Sequence, residues 1–155
     1  MNIVIQPQTL NARNIYFHDA VNNTVMEDST FIRIGYSNID CILNGIYLDI
    51  TLNINRIDKY FHKYKYMFDY TANMEYIDLL VNIEKMILHN INIPYVRPVY
   101  KLRDQFLHNS IRVFENVESP PRSLMPGTYK FTLKISGIWV TDSECGLTFK
   151  FFSQN

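Results

Sequence analysis

The run from Lys59 to Tyr70, KYFHKYKYMFDY, is where residue types and spacing could do chemistry. It holds three lysines, one histidine and six aromatic rings in twelve residues. Ammonium groups neutralise phosphates and make binding salt-dependent. Exposed rings offer faces on which nucleobases stack. The plain alternative is a tyrosine-rich strand whose rings pack on a neighbouring helix. Both can hold at once, because one face of a strand can be core while the other binds. A second group of cations follows: Lys130, Lys134 and Lys150 share one side of an alternating pattern, and Arg97, Lys101, Arg103 and Arg112 precede them. A solvated polar face accounts equally well for that pattern.

Other chemistries find little support. Phosphate-binding glycine loops, zinc-protease motifs and nucleophile elbows are absent from the sequence. His18, His62, His89 and His108 stand apart from carboxylates and cysteines at ligand spacing. Cys145, between Glu144 and Gly146, has the type of a nucleophile, but a packed thiol is the simpler reading. The expectation is a non-enzymatic protein with no cofactor and no metal. A small hydrolase or nuclease with scattered acidic ligands is the remaining enzymatic option.

Composition sets the frame for these residues. The 155 residues are 47% hydrophobic and 19% charged, which fits one globular domain spanning 1–155. The formal net charge is zero, but residues 1–84 carry 6 basic and 10 acidic side chains while residues 85–155 carry 9 and 5. That asymmetry suggests a basic face in the second half. No apolar run reaches the length of a membrane helix, and the start lacks the pattern of a signal peptide. With two cysteines far apart, Cys41 and Cys145, the expectation is a reducing intracellular compartment with both thiols packed as small hydrophobes.

The elements that must position the run can be read from periodicity. Tyr129, Phe131, Leu133 and Ile135 alternate with Lys130, Thr132, Lys134 and Ser136; Leu147, Phe149 and Phe151 alternate with Thr148 and Lys150. Two period-two runs around a polar connection predict a hairpin over Gly127–Phe152. Ile46, Leu48, Ile50, Leu52 and Ile54 alternate likewise, after an Asn44-Gly45 turn signal. Phe31–Gly35 and Ile3–Ile5 read as further strands. Tyr76, Leu79, Leu80, Ile83, Met86 and Ile87 predict a helix over Ala72–Asn90, about 73–90 with Asn73 as N-cap. Lys63–Tyr70 is expected as a strand and Asp58–His62 as a helical turn or loop. At helical spacing, Ile57, Tyr60, Phe61, Tyr64 and Phe68 would instead form one stripe. Strands are expected at Val99–Leu102 and Ile111–Phe114, and Ser119–Gly127, with three prolines, as a loop. The fold class is mostly β, or α+β: a curved antiparallel sheet or barrel with one main helix and a C-terminal hairpin.

The order of these elements, with Gly137-Ile138-Trp139 and Gly146-Leu147-Thr148-Phe149-Lys150-Phe151 near the end, resembles the five-stranded OB-fold. It is similar to the single-stranded-DNA-binding proteins of large DNA viruses and phages, loosely over residues 30–152. The abundance of Asn, Ile, Tyr and Lys is that of an AT-rich coding sequence, which bears on the genome and not on the fold. The resemblance implies a helix between the third and fourth barrel strands and a role in DNA replication or recombination. Single-stranded DNA is the implied partner, with RNA and self-association left open and no membrane; the location would be host nucleus or cytoplasm. Such proteins often end in an acidic recruiting tail, which Phe152-Ser-Gln-Asn does not resemble. On this reading bases stack on Tyr60, Tyr64, Tyr66 and Tyr70, and phosphates meet Lys63, Lys65, Arg97, Lys101, Lys130 and Lys134. The alternative is a viral structural or protein-interaction module that uses an aromatic surface.

Overall fold

A computed structural model describes residues 3–114 and 124–154. Eleven strands and two α-helices follow in order: β1 Ile15–Phe17, β2 Val21–Asn22, β3 Thr30–Ser37, β4 Ile42–Leu43, β5 Ile46–Ile54, β6 Arg56–Tyr60, β7 Lys63–Met67, α1 Met74–Ile91, β8 Arg97–Pro98, α2 Lys101–Leu107, β9 Ser110–Phe114, β10 Gly127–Val140 and β11 Glu144–Gln154. No helix among the described residues is long and apolar enough to cross a membrane.

The long hairpin β10–β11 is the backbone of the sheet. Its registers run from Lys130↔Gln154 to Val140↔Cys145, with a bulge between Ile135 and Gly137. The first part of β10 also pairs with β5, and the part after the bulge pairs with β3. Gly137 sits where the chain passes from one partner to the other. A Cβ there would lie 2.4 Å from the carbonyl oxygen of Ile32, so only glycine permits that approach. On its other side β11 runs parallel to β9 through Phe151↔Val113, β9 pairs with β7, and β7 pairs with β6. β6 follows β5 after the single residue Asn55, whose N–H donates to the Met67 carbonyl. The sheet therefore curls back on itself through the bent run 46–60 and encloses a barrel-like core.

That core is the set of inward residues the alternation marked. Ile46, Leu48, Ile50, Leu52, Phe131, Leu133 and Ile135 are buried, and Phe151 joins them. Trp139 is also buried, as a core anchor. α1 lays Ile77, Leu80, Ile83, Ile87 and Leu88 against the interior.

Several expectations are corrected. The sheet is not wholly antiparallel, because β11 runs parallel to both β8 and β9. With β5–β6 taken as one bent strand, the barrel ring is β5–β6, β7, β9, β11 and β10, and in chain order α1 lies between its second and third strands rather than the third and fourth. Asp58–His62 is neither a helical turn nor a loop as a whole: β6 continues to Tyr60 and only Phe61-His62 turn the chain. The helical stripe through Ile57, Tyr60, Phe61, Tyr64 and Phe68 therefore does not form. Lys63–Tyr70 is strand only to Met67. Of Ile3–Ile5, Ile5 alone joins the sheet, bridging Leu48. Cys145 is buried, but Cys41 is half-buried in a turn, its backbone N–H donating to the Asn38 side chain. The proline loop at Ser119–Gly127 lies outside the described residues up to 123.

Two side chains explain the helices. Asn73 precedes α1 but does not cap it. Its Oδ1 accepts the Asn53 N–H at 2.7 Å and its Nδ2 donates to the Asn53 and Asp69 carbonyls. It clips the helix start to β5 instead. Val99–Leu102 was expected as a strand, yet Lys101–Leu107 is helix. Leu102 and Phe106, one turn apart, bury the same side. The fully buried Glu84 of α1 supplies the missing cap: its two carboxylate oxygens accept the N–H groups of Leu102 at 2.9 Å and Arg103 at 3.0 Å.

Burial pushes the Glu84 carboxyl above the usual carboxylate range, and the two backbone donors pull it only partly back. Glu84→Ala strands both donors and should cost roughly 2–4 kcal/mol in denaturant unfolding. The sign of the pH effect follows from the raised value. The folded state holds this proton more firmly than the unfolded chain does. The contribution is present in full below the unfolded carboxylate range and is lost as pH rises through the raised folded value. Glu84→Gln should flatten that part of the stability–pH curve; an unchanged slope would show that other groups set it.

Candidate functional site

The aromatic run divides by strand parity. On β7, Tyr64 and Tyr66 point inward and Lys63, Lys65 and Met67 outward. Tyr66 is 0% exposed. Its ring meets Phe131 edge-on at 4.9 Å and Tyr129 at 5.6 Å. Burial raises its phenol's pKa. Tyr64 is buried as well. Tyr66 offers no ring face to a base and Tyr64 only its rim, which corrects their expected role as stacking platforms. Tyr70 is half-buried, and its hydroxyl donates to Asp78 of α1, a hydrogen bond that raises its pKa. It is a strut between the end of β7 and the helix. Of the four tyrosines, Tyr60 alone stands out from the surface, 62% exposed.

Outward residues of the ring strands line up across the sheet in two rows. Lys134 of β10 lies directly opposite Lys150 of β11. The Phe151↔Val113 pairing sets Arg112 of β9 beside Lys150, and Arg112 pairs with Lys65 of β7. Four cations on four successive strands thus share one row, with strands about 4.8 Å apart. The row ends at Asp58 of β6, opposite Lys65, whose carboxylate takes Arg56 at 2.8 Å. The neighbouring row runs Phe152, Phe114, Lys63, Tyr60 by the same registers. Phe114 is 43% exposed and lies between two ammonium groups, Lys63 Nζ at 4.9 Å and Lys150 Nζ at 4.7 Å from the ring centroid.

Beside these rows is a groove of about 580 Å³. Its walls carry four rings, Tyr60, Phe61, Tyr64 and Phe114, with His62 and the cations Lys63, Lys65 and Arg112; among the described residues no carboxylate lines it. A smaller hollow of about 150 Å³ adjoins it and shares Lys63, Arg112 and Phe114. Phe61 overhangs from the two-residue turn. It is 89% exposed with φ of 49°, a left-handed conformation that a bulky residue rarely adopts.

The remaining expected residues are distributed over the same sheet. Lys130 extends from the outer face of β10, opposite Thr51 and Gln154. Lys134 Nζ sits 5.5 Å over the Tyr47 ring. Arg97 and Lys101 are not part of this surface. Arg97 pairs with Glu144 at 2.5 Å, and Lys101 Nζ lies 4.7 Å over Trp139. Glu144 opens β11, six residues before Lys150 or about 20 Å along the strand. Sequence pattern marks Phe61 as part of the aromatic run and Arg112 as one of the cations but does not single out either, or Phe114, as a contact residue. The alternation of Arg112 and Phe114 with Ile111 and Val113 was the available signal for those two.

Among the described residues no three His, Cys, Asp or Glu side chains gather as a metal site. Burial raises the Cys145 thiol's pKa, which disfavours a thiolate.

Phe61→Gly relieves a left-handed backbone that costs a non-glycine residue about 1–2 kcal/mol. The variant should unfold at higher denaturant, by about 1 kcal/mol; an equal or lower midpoint would mean the ring's own contacts outweigh the strain.

No protein-family model matches this chain, and neither the curated proteins nor the solved structures give a match.

Proposed function

We propose that this protein binds single-stranded nucleic acid, DNA in the first instance, on the outer face of β10, β11, β9 and β7, without catalysis. One observation carries the reading. Lys134, Lys150, Arg112 and Lys65 form an uninterrupted cross-strand row next to a row that presents Phe152, Phe114 and Tyr60. Like charges set directly opposite across strands are destabilising. A row of four is costly in the free protein and is relieved by a polyanion whose charges repeat along its length. The adjoining rings supply what a phosphate chain alone does not use, faces for bases at roughly 1–3 kcal/mol each.

The resemblance to OB-fold proteins supports the same surface, since that fold binds oligonucleotides on the face of its second and third strands and the loop between the first and second. Here the second and third ring strands are β7 and β9, and the first loop is Phe61-His62. Tyr60, Lys63 and Lys65 keep their expected roles. Phe114, Phe152 and Phe61 replace the buried tyrosines, and Arg112 and Lys150 replace Arg97 and Lys101. A role in viral replication or recombination is what the resemblance implies. The second reading, a protein-interaction surface, is favoured by Phe61, whose large apolar ring projects from the turn 89% exposed.

The test is anisotropy of a labelled oligo-dT titrated with the full chain across a range of salt. Four neutralised phosphates give a log–log slope of about −3 for a single strand. The double substitution Lys134→Glu, Lys150→Glu should weaken binding at least tenfold at low salt and make the slope shallower. Absence of binding at low salt would remove the nucleic-acid reading and leave the protein interface.

A further inference from the structure

We infer that the groove between the Phe61 tip and β9 selects bases by their keto groups, accepting guanine and thymine or uracil in preference to adenine and cytosine. The inference rests on the single-strand-binding reading and adds to it a rule for which strands are held best.

The charged groups that face this groove are Lys63, Lys65 and Arg112. An ammonium donates three hydrogen bonds and accepts none, and a guanidinium donates five and accepts none. Among the described residues no Asp, Glu, Asn or Gln lines the groove. The acceptors on its described walls are limited to the Tyr60 and Tyr64 hydroxyls, the His62 ring and the backbone, and the cationic donors are gathered on the β7–β9 side. Guanine presents O6 and N7 as acceptors, and thymine presents O4; adenine and cytosine present amino donors at the corresponding positions. An amino group turned toward Arg112 or Lys65 meets another donor and loses its partner in water without gaining one.

The rings hold a base in the right place for that choice. Phe114 forms one wall and is fixed between Lys63 and Lys150. Tyr60 and Phe61 form the opposite wall at the hairpin tip. The volume of about 580 Å³ lies within the range of small-ligand clefts and admits a base with its sugar. A base between these walls points its edge at the β7–β9 pair Lys65↔Arg112, which are register partners. Stacking on the rings is indifferent to base identity. The donors supply the discrimination, and the guanidinium's planar fork supplies most of it.

The experiment compares two labelled oligonucleotides of equal length, one alternating dG and dT and the other alternating dA and dC, with the full chain at matched salt. The keto strand should bind at least about fivefold more tightly, the lower end of what one well-placed donor pair discriminates. Arg112→Met keeps the aliphatic stem and should bring the ratio close to one. Lys65→Met is the second variant, with a smaller fall in the ratio, and carries the test if Arg112→Met does not fold by circular dichroism. Equal affinities of the two strands, or tighter binding of the amino strand, overturn the selection rule and leave single-strand binding intact. A ratio that survives Arg112→Met while the salt slope falls assigns Arg112 to a phosphate and also overturns it. Binding of neither strand at low salt overturns the reading beneath it.

Discussion

Tyr66 reaches across the barrel interior to meet Phe131 edge-on at 4.9 Å, and the outer surface depends on that contact. β7 and β10 are not neighbours in the sheet; β11 and β9 lie between them. The ring pair therefore ties opposite walls of the barrel together. It also fixes the parity of β7. A strand displaced by one residue exchanges its two faces. Such a slip would turn Lys63 and Lys65 toward an interior of leucine, isoleucine and phenylalanine, where an ammonium has no partner. The burial of two tyrosines and the exposure of the lysines that alternate with them are one event.

The sequence made the regular parts of this molecule readable. The C-terminal hairpin, the β5 alternation and α1 each stretch over enough residues for a period to be unmistakable, and all three are present. Elements whose cause lies elsewhere in the chain were not readable. Lys101–Leu107 is helical because a carboxylate seventeen residues before it accepts its first N–H groups. β6 exists because Asn55 lets the β5 run bend and pair with a second partner. Asn73 has the residue type of a cap, but its side chain serves β5 instead.

The candidate site was legible in kind but not in membership. Lysines alternating with tyrosines announce a two-faced strand, and period two cannot say which face is inside when both carry large side chains. The answer depends on Phe131 and Phe151, which lie more than sixty residues away in sequence. Cations brought together by register, such as Arg112 and Lys150, are separated by 38 residues and become neighbours only through the parallel pairing of β9 with β11. The net charge of zero is compatible with this, because the row concentrates four cations on four strands whatever the total.

The clip from Glu84 also bears on the outer face. α2 has seven residues, too few to persist alone in water. Its cap arrives with α1, and its C-terminal turn leads through Asn109, in a left-handed conformation, straight into β9. β9 in turn makes the parallel bridge to β11, a pairing between residues distant in the chain and therefore slow to form. Arg112 and Phe114 therefore sit on a strand whose entry is held by the docked helix pair. Glu84, buried far inside, thus belongs to the support of the outer face: loosening its clip would disturb the middle of both outer rows without touching any residue in them.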